Sequence, residues 1–216
     1  MTTTAKQTTR PRRTRNGPST ESRILDVAEN LFAEYGFDAV SINQLATVAN
    51  VTIGALYHHF PSKEALYAAV TRRVFTAKSS PPLAITWPGA SPREQLTRLV
   101  SWFVGTMILD KNFGQLLKRE LLDPRPNTPE LIGQELFQSQ RELCKQLLGE
   151  LVPGANPDEG VAAMLALLFG YTNLKGMQAI LPGIKDSFDQ PEAIAERVVN
   201  LLLHGLQAEK TQQSQG

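Results

Sequence analysis

The sequence predicts an all-α chain of about nine helices, and three observations carry that expectation. Helix starts recur with one grammar: a polar cap, Pro at the first helical position and an acid in the first turn. It is written at Ser91-Pro92-Arg93-Glu94, Thr128-Pro129-Glu130 and Asn156-Pro157-Asp158-Glu159, and more weakly at Gln190-Pro191-Glu192. Proline suits that place because its missing N–H would be unpaired anyway, while cap oxygen and acid serve the free donors and the helix dipole. Apolar residues also recur at steps of three and four, as in Leu96, Leu99, Val100, Phe103, Val104, Met107 and in Leu143, Leu147, Leu148, Leu151, the period of one helix face. No segment sustains the two-residue alternation of a strand bounded by hairpin turns.

Taken in order, the first helix is capped at Thr20, buries Ile24, Val27, Ala28, Leu31, Phe32 and Tyr35, and stops at Gly36, where a left-handed residue is needed. Ser41-Ile42-Asn43-Gln44 reads as a capping box opening a short second helix through Val48. Asn50 stands at the turn, since Asn takes positive φ at less cost than most residues. A third helix spans 52–58, Pro61 breaks it, and Ser62 caps a fourth running to about Ala77. Val40, Leu45, Val48, Val51, Leu56 and Phe60 are expected to form the small core that sets the angle between helices two and three. Residues 79–91, with Pro81, Pro82 and Pro88, read as a link to further helices starting near 92, 110, 129, 157 and 191, with one more on the Leu143 stripe. The expected organisation is a flexible basic arm 1–19, a helical module 20–66, a larger helical body 67–209 and a tail 210–216.

Composition narrows the class. The 216 residues are 42% hydrophobic and 20% charged, with 22 Lys+Arg against 21 Asp+Glu. Five of the basic residues, Lys6, Arg10, Arg12, Arg13 and Arg15, fall in residues 1–20 with no acid, leaving 17 basic against 21 acidic groups elsewhere. The near-neutral total therefore hides a basic arm on a mildly acidic body. A lone Cys144 excludes an intrachain disulfide and fits a reducing compartment. The longest apolar stretch, from Val161 to Tyr171 and interrupted only by Gly170, is shorter than the roughly 18–20 residues of a bilayer span. With no apolar leader at the N-terminus, a cytoplasmic location and no membrane partner are expected.

Two short helices joined by a tight turn behind a longer one have helix-turn-helix spacing. The string Gly36-Phe37-Asp38-Ala39-Val40-Ser41-Ile42-Asn43-Gln44-Leu45-Ala46, followed by Ala49-Asn50-Val51-Thr52-Ile53-Gly54-Ala55-Leu56-Tyr57-His58-His59-Phe60-Pro61-Ser62-Lys63-Glu64-Ala65-Leu66, resembles the TetR family of bacterial transcriptional regulators. It departs from the family pattern at Asn50, where Gly is usual, at Thr52, where Ser is common, and at Ile53, where many relatives carry a polar or basic side chain. The resemblance implies an N-terminal DNA-binding domain, a C-terminal domain for effector and dimerisation, and repression relieved by a ligand. Activation, corepression and a helical adaptor with nonspecific DNA affinity are the alternatives.

For DNA, hydroxyls and an ammonium beside helix starts suit phosphate oxygens, which points to Ser41, Thr52, Tyr57 and Lys63; for Ser41 a pure capping role is an equal reading. Gly54 lets the backbone approach closely. Residues 52–58 contain no Arg, Lys, Asn or Gln, so the usual bidentate contacts to guanine or adenine cannot come from that helix. Methyl groups of Thr52, Ile53 and Ala55 are expected on thymine methyls, with His58 and His59 as donors at its end and Asn43, Gln44 or Thr47 assisting. Adjacent histidines point about 100° apart and make a poor metal site. Arg10, Arg12, Arg13 and Arg15 would reach the flanking minor groove.

In the body, Val161 to Phe169 is apolar all round and the last helix is broad, so both must be covered on more than one face. Leu165, Leu168, Val198, Leu201 and Leu202 are assigned to a two-fold, four-helix homodimer interface. Trp102, Phe103, Met107, Phe113, Phe137, Met164, Phe169, Tyr171 and Met177 are assigned to an apolar cavity for a hydrophobic or aromatic effector, with Lys118, Arg119, Glu120 and Arg141 as nearby charges. No catalytic group, cofactor or metal is expected: neither a Gly-rich phosphate loop nor a metal-binding pattern is present.

Overall fold

The computed structural model describes residues 19–78, 89–125, 137–173 and 190–213. Among them are nine helices and no strand: α1 Thr20–Tyr35, α2 Ile42–Val48, α3 Ile53–His59, α4 Lys63–Ala77, α5 Pro92–Leu109, α6 Lys111–Leu122, α7 Gln138–Leu151, α8 Pro157–Asn173 and α9 Pro191–Gln213. The all-α expectation holds. The start expected near 129, Met177 and the four arm arginines lie outside the described residues. No described helix is long and apolar enough to cross a membrane.

Local chemistry accounts for the boundaries. Ser19, one residue before the expected Thr20, caps α1 by accepting from the Ser22 N–H at 3.1 Å. Ser41, Thr52 and Ser62 do the same for α2, α3 and α4, each at 3.1 Å, satisfying one of the donors a helix start leaves free. Ser91 and Glu94 form a complete capping box at α5. Gly36 has φ 83° and Asn50 φ 51°, the two left-handed positions that the turns around α1 and α2 require.

Two cores divide the chain. In one, α1 to α4 enclose Ile24, Phe32, Leu45, Leu56, Leu66 and Phe75 together with Phe113, Leu116 and Leu117 of α6. In the other, α5, α7, α8 and α9 enclose Leu96, Val104, Leu147, Leu168, Ile194 and Val198. Phe103 packs against both. Residues 66 and 67 both lie in α4, whose Tyr67, Val70, Val74 and Phe75 are buried in the first core. One correction concerns Val48, which is 56% exposed. Leu45, Ala46 and Ala49 centre the buried face of α2, and at 100° per residue Val48 is turned roughly 110° from that centre.

The corner between α5 and α6 is tight. A Cβ on Gly114 would stand 2.5 Å from the Met107 carbonyl oxygen, backbone that cannot rotate away. Gly114→Ala is therefore expected to destabilise the fold by about 1–3 kcal/mol, read from urea denaturation at fixed protein concentration.

Candidate nucleic-acid interface and effector cavity

The reading unit is built from its underside outward. Leu56 and Phe60 are buried, which turns the rest of α3 to solvent: Thr52, Gly54, His58 and His59 are exposed, Ile53 is 45% and Tyr57 46% exposed, and Ala55 is half-buried. On α2, Ser41, Asn43 and Thr47 are exposed and Gln44 half-buried. The expected DNA-contacting residues of the described chain thus all reach solvent, with Gln44, Ala55 and Lys63 half-buried. The Ser41 and Thr52 oxygens already accept from Gln44 and Ala55 N–H groups, which uses one lone pair of each and leaves the hydroxyl proton free to donate outward to a phosphate oxygen. His58 and His59 stack edge to face at 5.5 Å. Among the described residues no group of three or more His, Cys, Asp and Glu could hold a metal ion.

Lys63 sits in a seat that sequence spacing did not show. Its ammonium lies 4.3 Å from the centroid of the Phe37 ring, and the Arg125 guanidinium lies 4.4 Å from the same centroid, both within cation–π range. Arg125 also pairs with Asp38, and its backbone N–H donates to Glu120 Oε2 at 3.2 Å. Glu120, buried in α6, accepts from the Tyr67 hydroxyl on α4. Burial first, and then the Glu120 hydrogen bond and charge, push the Tyr67 phenol well above its ordinary range. Further along the seam, Arg73 of α4 bridges Asp26 at 2.7 Å and Glu29 at 2.6 Å on α1, and Asn112 of α6 donates to Glu29 at 3.1 Å and Asn30 at 2.9 Å. Arg119 donates to the Glu34 carbonyl at 3.0 Å. Arg119 and Glu120, expected near the effector, serve the seam instead because their side of α6 faces α1 and α4.

The body holds a small apolar cavity of about 70 Å³ between α5, α7 and α8. Of the expected lining, Trp102, Phe103, Phe137 and Met164 border it, joined by Gln140, Arg141, Cys144 and Leu165. Phe113 is elsewhere, in the first core with its ring 6.0 Å from Phe75. Met107 also packs against that core, while Phe169 and Tyr171 are half-buried outside the cavity lining. Of the expected dimer residues, Leu165 and Leu201 are exposed, whereas Leu168, Val198 and Leu202 are buried within the subunit. They occupy the inward stripes of α8 and α9.

Burial pushes the Cys144 thiol up from its ordinary 9.0 to about 12. The unfolded chain ionises first, so this contribution to stability is complete below about pH 9 and is lost as pH rises towards 12. Between about pH 8 and 10 the urea midpoint of the wild type should fall more steeply than that of Cys144→Ala. Equal slopes would mean that the thiol is not held neutral by burial. Tyr67 adds a slope of the same sign only above about pH 10.

Residues 24–70 match the family model for bacterial regulatory proteins of the tetR family. The HTH-type transcriptional regulator EthR of Mycolicibacterium smegmatis is 28% identical over 94% of this chain and 93% of its own length. Other curated HTH-type regulators match over shorter stretches, and the chain spans between 26% and 57% of their lengths. A TetR-like transcriptional regulator from Rhodococcus sp. RHA1 superposes with a TM-score of 0.57 at 25% identity, covering 87% of this chain and 95% of that one. FadR of Bacillus subtilis, solved in complex with stearoyl-CoA, shares the fold with a TM-score of 0.64 at 19% identity, covering 85% and 97%.

Proposed function

Because the chain belongs to the TetR family of bacterial transcriptional regulators, we propose that it is a repressor that binds a palindromic operator as a homodimer and is released by a small apolar effector. The observation that carries this reading is the α2–α3 unit, which buries Leu56 and Phe60 and turns Thr52, Ile53, Tyr57 and His58 outward. Such a unit docks with its second helix in the major groove, and a two-fold protein matches a two-fold site. Leu165 on α8 and Leu201 on α9 are exposed apolar residues, with Ala162, Ala163 and Ala166 exposed beside Leu165 on α8. These side chains support a helical interface with a second copy.

The effector reading rests on the cavity between α5, α7 and α8. Its lining is aromatic and aliphatic, with Gln140 and Arg141 as polar groups, which suits a hydrophobic or aromatic molecule carrying one acidic or polar group. About 70 Å³ is well below the roughly 300–1,000 Å³ of ordinary ligand pockets, so binding must open α5 from α7 and α8. Since α5 runs directly into α6, and α6 is part of the first core, opening would be felt at the seam beneath Lys63. FadR, with its bound stearoyl-CoA, is one protein of this fold that holds a ligand with a long apolar acyl chain.

Linkage supplies the test. An effector that releases DNA must bind more weakly to the operator complex than to the free protein, by the same factor. Calorimetric titration of apolar ligands with and without operator should show that difference, and equal affinities would sink the proposed coupling. The arm gives a second prediction. Deleting residues 1–17 should weaken operator binding and flatten its salt dependence. An unchanged slope would remove the arm from the interface.

A further inference from the structure

We infer that α3 reads the operator through thymine methyl groups packed on Ile53, rather than through bidentate hydrogen bonds to guanine or adenine. The inference rests on the proposed DNA-binding reading and specifies which bases that site accepts.

Four observations lead there. The outward surface of α3 carries Ile53, Gly54, Tyr57, His58 and His59 and no Arg, Lys, Asn or Gln, the side chains that pair bidentately with purine edges. Ile53 is 45% exposed and shares a stripe with Tyr57 four residues on, so an apolar side chain stands where a base reader is needed. The Thr52 oxygen caps α3 by accepting from the Ala55 N–H at 3.1 Å, and a hydroxyl has a single proton to donate, so Thr52 cannot supply the paired donor and acceptor of a bidentate base contact in the way Asn or Gln does. Finally, a Cβ on Gly54 would meet nothing within 4 Å, so no neighbour in the subunit requires glycine there. Glycine costs roughly 1 kcal/mol in a helix, and here it clears space on the side from which DNA approaches.

In the major groove the thymine C5-methyl is the apolar feature that distinguishes a base pair. Packing it on Ile53 removes both from water without any unpaired polar group. Cytosine at the same position presents no methyl, and a guanine would set O6 and N7 acceptors against a side chain that cannot donate.

The full-length chain is first used to select duplexes from a random pool. Thymines in the enriched half-site are then replaced one at a time by deoxyuridine, which deletes only the C5-methyl and leaves every hydrogen-bonding edge intact. At one or more positions per half-site, wild-type affinity should fall about three- to fivefold for each methyl removed. In Ile53→Ala the same replacement should change affinity less than about twofold, with an unchanged thermal melting profile showing that the variant folds. A pool with no enriched sequence overturns the DNA-binding reading and this inference with it. Enriched half-sites that lack thymine, tolerate deoxyuridine everywhere, or respond identically in wild type and Ile53→Ala overturn the inference alone.

Discussion

Replacing Phe113 by alanine is expected to cost about 3–5 kcal/mol of stability. The side chain is 1% exposed and stands edge-on to Phe75 at 6.0 Å, in a core shared with Leu116 and Leu117 of α6 and with α1 and α4. Truncation removes the transfer free energy of a whole ring and leaves a cavity that helices tied by Arg73, Asn112 and the Lys78–Asp110 pair cannot collapse into cheaply. Because α6 supplies part of the first core, the loss should appear as weakened attachment of the body to the reading unit. The cavity between α5, α7 and α8 should be spared, as Phe113 does not line it. Urea denaturation at fixed protein concentration measures the effect, a dimer's midpoint being concentration-dependent. A loss below about 1 kcal/mol would contradict the packing of α6 into the first core.

The largest functional effect is expected at Lys63. Its ammonium, held over the Phe37 ring, is one of two cationic side chains in residues 21–66, which contain six acids. A phosphate contact by Lys63, as proposed, would therefore carry an unusual share of the attraction within this unit. Lys63→Ala should weaken operator affinity about tenfold per subunit and reduce the salt slope by about 1 per subunit, uniformly across sequences. Phe37→Leu should give part of that loss by removing the cation–π seat while leaving the charge. Fluorescence anisotropy across a salt series reads both. Loss of affinity in Lys63→Ala with an unchanged slope would mean that the residue supports the fold instead of touching phosphate.

What the sequence made legible follows from the range of the interactions. Helix starts at Ser41, Thr52, Ser62, Ser91, Pro157 and Pro191 were readable because a cap closes over three residues, and the left-handed Asn50 because its cause is local. The faces of α2 and α3 were readable except at Val48, where membership of an apolar string was not the same as lying on the buried stripe. The seam was not readable. Tyr67–Glu120, Asp38–Arg125 and Glu29–Asn112 join residues 53, 87 and 83 positions apart, and no local period encodes them. Assignment in the body failed where one helix must serve two faces. Leu168, Val198 and Leu202 are as apolar as Leu165 and Leu201, and only the packing of α8 and α9 against α5 and α7 separates the inward stripes from the outward ones. Phe113 was drawn to the cavity by its aromaticity, yet the turn at Asp110 swings α6 towards α4.

The measurement that bears most directly on the whole account is the affinity of the full-length chain for a selected duplex against a scrambled duplex of equal composition, at about 0.15 M salt. A sequence-reading dimer should prefer the selected site by about 10³-fold or more, with two protein chains bound per two-fold symmetric site. Equal affinity for both duplexes, or a single chain bound to an asymmetric site, would contradict it.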